Sequence, residues 1–369
     1  MSNAQPLHMV LAISSLDMGG ASRVMAGIAD FLVSQGHRVT LLVLSTAELF
    51  VPTDPRVKLV TIPLRASSGG NPIRAAISNV NRVRTLRQAL KDADPDVLLS
   101  FMDVTNILVL MAGAGLPIPI IVSERNDPRL KSISRSWGML RTRFYPRARA
   151  VVVQSPDLIS FFRADVQSLC TVIPNPCYLP DISVTESVRQ KRFITLGRLH
   201  PQKRPDLFLD AVKEVLPDFP EWTAEMWGRG PLEEQLRDRI ATLGLTDRVF
   251  LRGATKETVA ALASSEFLVQ CSDVEGFPNS VLEAMACARP VVATDCGGAM
   301  RDLVIPDETG ILVPRGDVAA LTQGIRRMIE DTDLRDRLRP LARRVAERYA
   351  APKVLAEWEA LLLKHARRR

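Results

Sequence analysis

Short apolar runs alternate with longer amphipathic stretches along this chain. In the first half the runs are 8–14, 39–44, 57–62, 97–100, 118–123, 150–154 and 170–174. In the second they are 192–196, 223–227, 249–251, 267–271, 291–294 and 310–313. Runs with so little polar alternation read as strands covered on both faces. The stretches between them, such as 23–35 and 73–93, have helical length and pattern. Regular strand–helix alternation predicts an α/β fold of two doubly wound, Rossmann-like domains with mostly parallel sheets. Residues 175–191 are turn-rich and polar and read as a linker, so the domains are placed at 1–180 and 181–351.

Polar residues gather where the runs end. The run 267–271 leads into Asp273-Val274-Glu275-Gly276-Phe277-Pro278, and Asn279-Ser280-Val281-Leu282-Glu283-Ala284-Met285-Ala286 reads as the first turns of a helix. Glu275 falls in the loop, while Glu283 lies past Pro278, a residue tolerated only near a helix start. Two separated carboxylates beside free helix-start N–H groups can grip a ligand with several hydroxyls. A loop with solvated acids would carry the same residues. The next run ends in Asp295-Cys296-Gly297-Gly298-Ala299, and adjacent strands ending in such loops fit the crevice of an open α/β sheet.

Other run ends carry cations and glycines. Gly197-Arg198-Leu199-His200-Pro201-Gln202-Lys203 offers a guanidinium fork and a compact ammonium, a pair suited to a diphosphate, although loop cations are commonly just solvated. Gly228 and the Arg252-Gly253 pair follow the next two runs. In the first domain Gly19-Gly20-Ala21 follows the first run, serving either close packing or close approach to a ligand. It is not G-x-G-x-x-G, which argues against NAD. Ser123-Glu124-Arg125-Asn126-Asp127 is a further candidate loop. Asp94-Pro95-Asp96 has the look of a metal-binding D-x-D but reads as a turn.

Charge changes the picture in one respect. The net +7 lies wholly in residues 1–180, with residues 181–369 balanced. Basic residues concentrate in the helix 73–93, where Arg84, Arg87 and Lys91 share a spacing, and in 129–149, where Leu130, Ile133, Trp137, Met139, Leu140, Phe144 and Tyr145 are interleaved with Lys131 and arginines. That suggests an anionic partner, such as a membrane surface. Aromatic residues are 5% and not arranged as stacking platforms, which argues against nucleic acid. Five scattered cysteines give neither a disulfide framework nor a zinc site and suit a reducing compartment. No run reaches the ~20 residues of a membrane span, and no signal peptide is evident.

On Gly19-Gly20-Ala21, Asn175-Pro176, Gly197-Arg198-Leu199 with Lys203, Gly228-Arg229-Gly230-Pro231 and the E-x7-E pair Glu275 and Glu283, the chain resembles a retaining glycosyltransferase of family GT4. The resemblance implies the GT-B fold, two Rossmann-like domains facing a central cleft. It implies an acceptor-binding first domain, a nucleotide-sugar-binding second domain, and a last segment, 352–369, crossing back to the first. Arg198 and Lys203 would hold the donor diphosphate. Glu283 would bind ribose, and Glu275 would position the sugar with backbone of Gly276, Phe277, Pro278 and Asn279. Gly20, Gly197, Gly228 and Arg252 would complete the donor site. Gly19, Glu124, Arg125 and Asn126 would face acceptor or sugar, with Arg125 standing where many relatives have histidine. Neither a metal nor another cofactor is implied.

The function expected is transfer of a hexose or N-acetylhexosamine, from a uridine diphosphate donor, to a lipid-linked or polysaccharide acceptor in cell-surface glycan synthesis. The expected location is cytoplasmic, at the inner face of the plasma membrane. A GT-B epimerase or phosphorylase is one alternative, and a non-catalytic nucleotide- or nucleic-acid-binding protein another.

Overall fold

The computed structural model describes residues 6–17, 19–45, 51–62, 72–129, 133–181 and 190–367. Leu130, Lys131, the serine- and glycine-rich loop at 65–71 and the linker segment 182–189 lie outside them. The chain forms two compact units, Met1–Asn175 with Pro352–Arg369, and Pro176–Ala351. The first break comes earlier than the boundary read after residue 180. The reason is local: Cys177 exchanges backbone hydrogen bonds of 2.7 Å with Tyr349 and Ala351, which ties residues just past Asn175 into the second unit.

In the first unit, β1 (His8–Ile13), β2 (Arg38–Val43), β3 (Lys58–Thr61), β4 (Val97–Phe101), β5 (Ile120–Ser123), β6 (Ala150–Val153) and β7 (Cys170–Val172) form one sheet. Its order is β3-β2-β1-β4-β5-β6-β7, with every pairing parallel. The helices are α1 (Gly20–Ser34), α2 (Pro72–Ala93), α3 (Asp103–Gly113), α4 (Arg135–Phe144) and the short α5 (Ala164–Gln167). α1 begins three residues before the expected start at residue 23, because Gly19 serves as its N-cap and Gly20 as its first residue.

The second unit repeats the plan. β8 (Arg192–Leu196), β9 (Thr223–Trp227), β10 (Val249–Gly253), β11 (Phe267–Gln270), β12 (Val291–Thr294) and β13 (Gly310–Val313) pair in parallel in the order β10-β9-β8-β11-β12-β13. Its helices are α6 (Pro205–Val215), α7 (Glu233–Thr242), α8 (Thr258–Ala263), α9 (Asn279–Ala286), α10 (Ala299–Leu303), α11 (Val318–Glu330) and α12 (Thr332–Arg348). α13 (Ala351–His365) leaves this unit and packs into the first, where Trp358 is fully buried with its ring 5.6 Å from that of Phe101.

The apolar runs explain the sheets. Successive side chains of a strand point to opposite faces. Phe267 and Val269 enter one core of the second unit, which also holds Phe193 and Val292, while Leu268, Val291 and Ala293 enter the other. Phe193 and Phe267 are register partners whose rings stack at 5.1 Å. Both faces need apolar cover, so the strands read as unbroken runs. In each sheet the order reverses beside the first strand. At that switch point the loops following β8 and β11 leave a crevice at their carboxyl ends.

Two glycines separate packing from propensity. An added Cβ at Gly310 would lie 2.2 Å from the Val291 carbonyl oxygen, whereas at Gly138, within α4, it would meet nothing within 4 Å. Gly310→Ala is expected to destabilise the second unit by about 1–3 kcal/mol. Gly138→Ala should stabilise by about 0.5–1 kcal/mol. Urea unfolding midpoints check both; an unchanged midpoint for Gly310→Ala would contradict the tight β12–β13 approach.

Candidate functional site

The loops after β8 and β11 meet through one ion pair. Lys203 Nζ lies 2.5 Å from Glu275 Oε1, with side-chain exposures of 22% and 8%. The lysine stem crosses Gly197, whose added Cβ would sit 3.7 Å from Lys203 Cε. Glu275 Oε1 also accepts from Ser272 Oγ at 2.6 Å and from Gln270 Nε2 at 3.2 Å. Thus the lysine and glutamate, read from separate loops as a phosphate group and a sugar group, stand in contact. Arg198 is exposed beside them, and its guanidinium has no partner among the described residues. It is a cation available to a ligand.

The glycines make this loop cluster possible. Gly228 has φ +145°, and an added Cβ would fall 1.8 Å from the Gly197 carbonyl oxygen. At Gly230 it would fall 2.3 Å from that of Leu199. Gly197 N–H donates to Trp227 and Leu199 N–H to Arg229, at 2.9 and 3.0 Å, so the two loops run side by side. Gly228 N–H in turn donates to Gly253. Gly228 therefore shapes the site through backbone contact. Arg252 differs from its expected donor role: its guanidinium is held by buried Glu225 at 2.8 Å and stacks on Phe250 at 4.7 Å. Glu225 also pairs with Arg192 at 2.8 Å, so it is shared by two cations.

Along the E-x7-E segment, Phe277 is a core residue, 7% exposed, with its ring 5.7 Å from that of Tyr349. Only its backbone is placed to serve a ligand. Pro278 is the N-cap of α9 and Asn279 its first residue, so Gly276 to Asn279 lead into the helix start. Glu283, half-buried, lies a turn further. Burial chiefly, and Glu283 next, push the Cys177 thiol up to about 12. The Glu283 carboxylate therefore lies near Cys177.

In the first unit, Gly19 and Gly20 open α1. The Asp17 carboxylate accepts from Ser22 Oγ at 3.1 Å and would lie 2.9 Å from a Cβ on Gly19. After β5 the candidate loop is mostly turned inward. Glu124, 2% exposed, accepts 2.6 Å from the Tyr145 hydroxyl, and Arg141 stands 3.8 Å away. Burial pushes its carboxyl up to about 7. Arg125, 6% exposed, sits over the Phe101 ring at 4.4 Å and donates to Asn175 Oδ1, and burial lowers its pKa to about 9. Asn126 alone of the three keeps a half-exposed side chain. Glu124 and Arg125 thus brace the strand end, and Asn126 is the member partly open to solvent.

Asp94 and Asp96 are structural: Asp96 accepts from His8 N–H at 2.8 Å, and Asp94 pairs with Arg367 at 2.7 Å. No cluster of metal-binding side chains occurs among the described residues.

Sequence reasoning missed Gln270, Ser272 and Ser280, although the signal was present. A glutamine and a serine in an otherwise apolar strand end must find hydrogen-bond partners there. Tyr145 and Asn175 were also missed as partners of Glu124 and Arg125.

Glu124 yields a pH prediction. Its folded pKa is raised, so the stability it contributes is complete below about pH 4.5 and is lost as pH rises through about 7. Glu124→Gln removes the ionisation and keeps an acceptor for Tyr145. The variant should gain on the wild type by on the order of 2 kcal/mol between pH 5 and pH 8. Urea unfolding at both pH values checks this; a constant difference would contradict it.

Comparison with known proteins bears on the family and the fold. The family described as Glycosyltransferase Family 4 matches residues 18–178, and Glycosyl transferases group 1 matches 190–331. A GalNAc-alpha-(1->4)-GalNAc-alpha-(1->3)-diNAcBac-PP-undecaprenol alpha-1,4-N-acetyl-D-galactosaminyltransferase of Campylobacter jejuni is 27% identical over 354 residues, covering 95% of this chain and 96% of the relative. A second C. jejuni enzyme, an N-acetylgalactosamine-N,N'-diacetylbacillosaminyl-diphospho-undecaprenol 4-alpha-N-acetylgalactosaminyltransferase, is 25% identical and covers 93% of this chain and 95% of its own. In fold, the chain is similar to Anabaena HepE in complex with UDP, with a TM-score of 0.78 and 20% identity over 97% of this chain and 100% of that one. Two family matches, one to each half, and two parallel sheets with a cation–carboxylate pair at a switch point identify this chain as a hexosyltransferase of glycosyltransferase family 4, with the GT-B fold.

Proposed function

We propose that the chain moves a sugar, with retention at the anomeric carbon, from a uridine diphosphate sugar to a lipid-linked or polysaccharide acceptor. The observation that carries this is the contact of Lys203 with Glu275 beside unpartnered Arg198, at the carboxyl ends of β8 and β11. On this reading Arg198 and Lys203 take the donor diphosphate and stabilise the charge that builds on it as the sugar leaves, fixed donors acting where charge develops. Glu275 holds a hydroxyl of the sugar, Glu283 the ribose, and the α9 start supplies backbone N–H groups. The proposed chemistry needs no metal. The lipid-diphosphate acceptors named for both C. jejuni relatives support a lipid-linked acceptor, which the first unit would hold, with Gly19 and Asn126 facing it. Bound UDP in HepE supports the nucleotide.

The first unit also suits an anionic surface. With α13 included it carries 24 Lys+Arg against 14 Asp+Glu, a net +10, and the second unit carries 24 against 27, a net −3. The expected basic faces need correction. Arg87 donates to the carbonyls of Ala112 and Ala114 at 2.7 Å, and Arg141 stacks on Phe161 at 4.6 Å, so neither is a surface charge. Ile133, Trp137, Leu140 and Phe144 pack against the core, and Tyr145 is buried, so 133–149 is no apolar interfacial face. Exposed among the described residues are Arg135, Met139 and Arg143 on α4, Arg129, Arg147 and Arg149 on either side of it, and Ile77, Val80, Arg84 and Lys91 on α2. Each exposed cation near anionic lipid contributes about 1 kcal/mol. No helix among the described residues is long and apolar enough to cross a membrane. We read the attachment as peripheral, from the cytoplasmic side.

A panel of UDP- and GDP-hexoses and N-acetylhexosamines, offered with lipid-diphosphate acceptors, tests the activity directly. Glu283→Ala should weaken free-nucleotide binding roughly ten- to a hundredfold, the loss of one charge-assisted bond of about 1.5–3 kcal/mol. Glu275→Ala should abolish turnover with nucleotide affinity kept, and excess EDTA should change neither. Unchanged nucleotide affinity in Glu283→Ala together with normal turnover in Glu275→Ala would overturn the assignment.

Vesicle co-sedimentation tests the surface. The protein should sediment with anionic vesicles and not neutral ones, and salt should release it. Arg135→Glu with Arg143→Glu should release it while sugar transfer to a soluble acceptor persists. Equal sedimentation with both vesicle types would refute the docking face.

A further inference from the structure

A carboxylate that positions a sugar must itself be held, since a loop glutamate samples several rotamers. Around Glu275 every partner among the described residues meets the same oxygen. Oε1 accepts from Lys203 Nζ at 2.5 Å, Ser272 Oγ at 2.6 Å and Gln270 Nε2 at 3.2 Å. Oε2 has no protein partner among the described residues. Gln270 and Ser272 are 1% and 0% exposed, so these bonds are shielded from water.

The amide of Gln270 can face the carboxylate in two ways. With Nε2 forward it donates; with Oε1 forward, oxygen would face oxygen. The carboxylate only accepts and so selects the first, and Ser280, the second residue of α9, meets the other end of the amide. Its hydroxyl donates to Gln270 Oε1 at 2.9 Å, leaving Nε2 to reach Ser272 Oγ at 2.6 Å and Glu275. Thr294 Oγ1 donates to the Ser272 carbonyl at 2.8 Å and fixes that backbone from β12. The chain Ser280–Gln270–Ser272–Glu275 therefore joins a helix start, a strand end and a loop.

We propose that Gln270, Ser272 and Ser280 are positioning residues that clamp Glu275 by Oε1 and so present Oε2 to the transferred sugar. The inference rests on the reading of Glu275 as the sugar-positioning group. Ser280 makes no contact with Glu275 and acts on it through Gln270. The clamp also places Oε1 where it holds Lys203 over Gly197 before a donor arrives. A donor diphosphate would then draw the ammonium away, and the two neutral donors would keep the carboxylate in place.

The test is a kinetic cycle on the full chain, using whichever nucleotide sugar of the panel the wild type consumes and UDP as the binding probe. Ser272→Ala should lower kcat about 10- to 100-fold, the usual effect of removing an outer-shell partner. UDP affinity and melting temperature should stay near wild type, and Ser272→Thr, which keeps the hydroxyl, should restore much of the rate. Ser280→Ala should lower kcat by a smaller factor, and that factor should vanish in a Gln270→Leu background, because the coupling runs through the amide. A crystal structure of Ser272→Ala should show the Glu275 carboxylate displaced, a readout independent of the donor. An unchanged kcat in Ser272→Ala, or effects of Ser280→Ala and Gln270→Leu that simply multiply, would overturn the clamp. Glu275→Ala separates the two levels. If it retains normal turnover, the reading of Glu275 fails; if it is inactive while Ser272→Ala is normal, only the clamp fails.

Discussion

The second unit is organised around a nearly buried carboxylate. At 8% side-chain exposure, one oxygen of Glu275 is met by an ammonium and two neutral donors. A buried charge without such partners costs several kcal/mol. Each partner arrives from a different element: Lys203 from the turn after β8, Gln270 from the end of β11, Ser272 from the loop. None of them could be moved by a residue without uncovering the charge. The glycines follow from the same demand. Lys203 crosses Gly197, and the Gly228 backbone closes against the Gly197 carbonyl at a φ that other residues rarely adopt.

Topology brings these elements together. In an open parallel sheet, loops at the carboxyl ends of neighbouring strands diverge at the point where strand order reverses. β8 and β11 are hydrogen-bonded neighbours although two strand–helix units separate them in sequence. That arrangement puts residues 198–203 next to residues 270–280. The first unit reverses at β1 and β4 in the same way, and there the helix start at Gly19 and Gly20 lies after β1.

Much of this was legible in the sequence, and the reason is physical. Strands covered on both faces leave unbroken apolar runs, so element order and the two-unit plan could be read directly. Glu275, Glu283, Arg198 and Lys203 stood out as charges that interrupt the apolar pattern near strand ends. What could not be read is where a side chain turns. Glu124 and Arg125 look like the other strand-end charges but point inward, toward Tyr145 and Asn175, which lie 21 and 50 residues away. Arg252 looks like a ligand group but answers Glu225 on the adjoining strand. Arg87 and Arg141 match a basic face by spacing, yet each is used by a neighbour within its own unit. Helical spacing assigns a face and says nothing of what waits opposite it. The unit boundary moved for a similar reason, since the bonds of Cys177 to Tyr349 and Ala351 join residues that no local pattern connects.

The central claim is that Arg198 and Lys203 recognise a diphosphate. Calorimetric titration of the wild type, Arg198→Ala and Lys203→Ala with UDP and UMP, and with GDP and GMP, tests it most directly. The account predicts that the wild type prefers one diphosphate to its monophosphate by at least about tenfold, one charge-assisted bond or more. It predicts that each substitution removes most of that preference while leaving monophosphate affinity nearly unchanged. A preference that survives both substitutions, or a wild type that binds mono- and diphosphates alike, would contradict it.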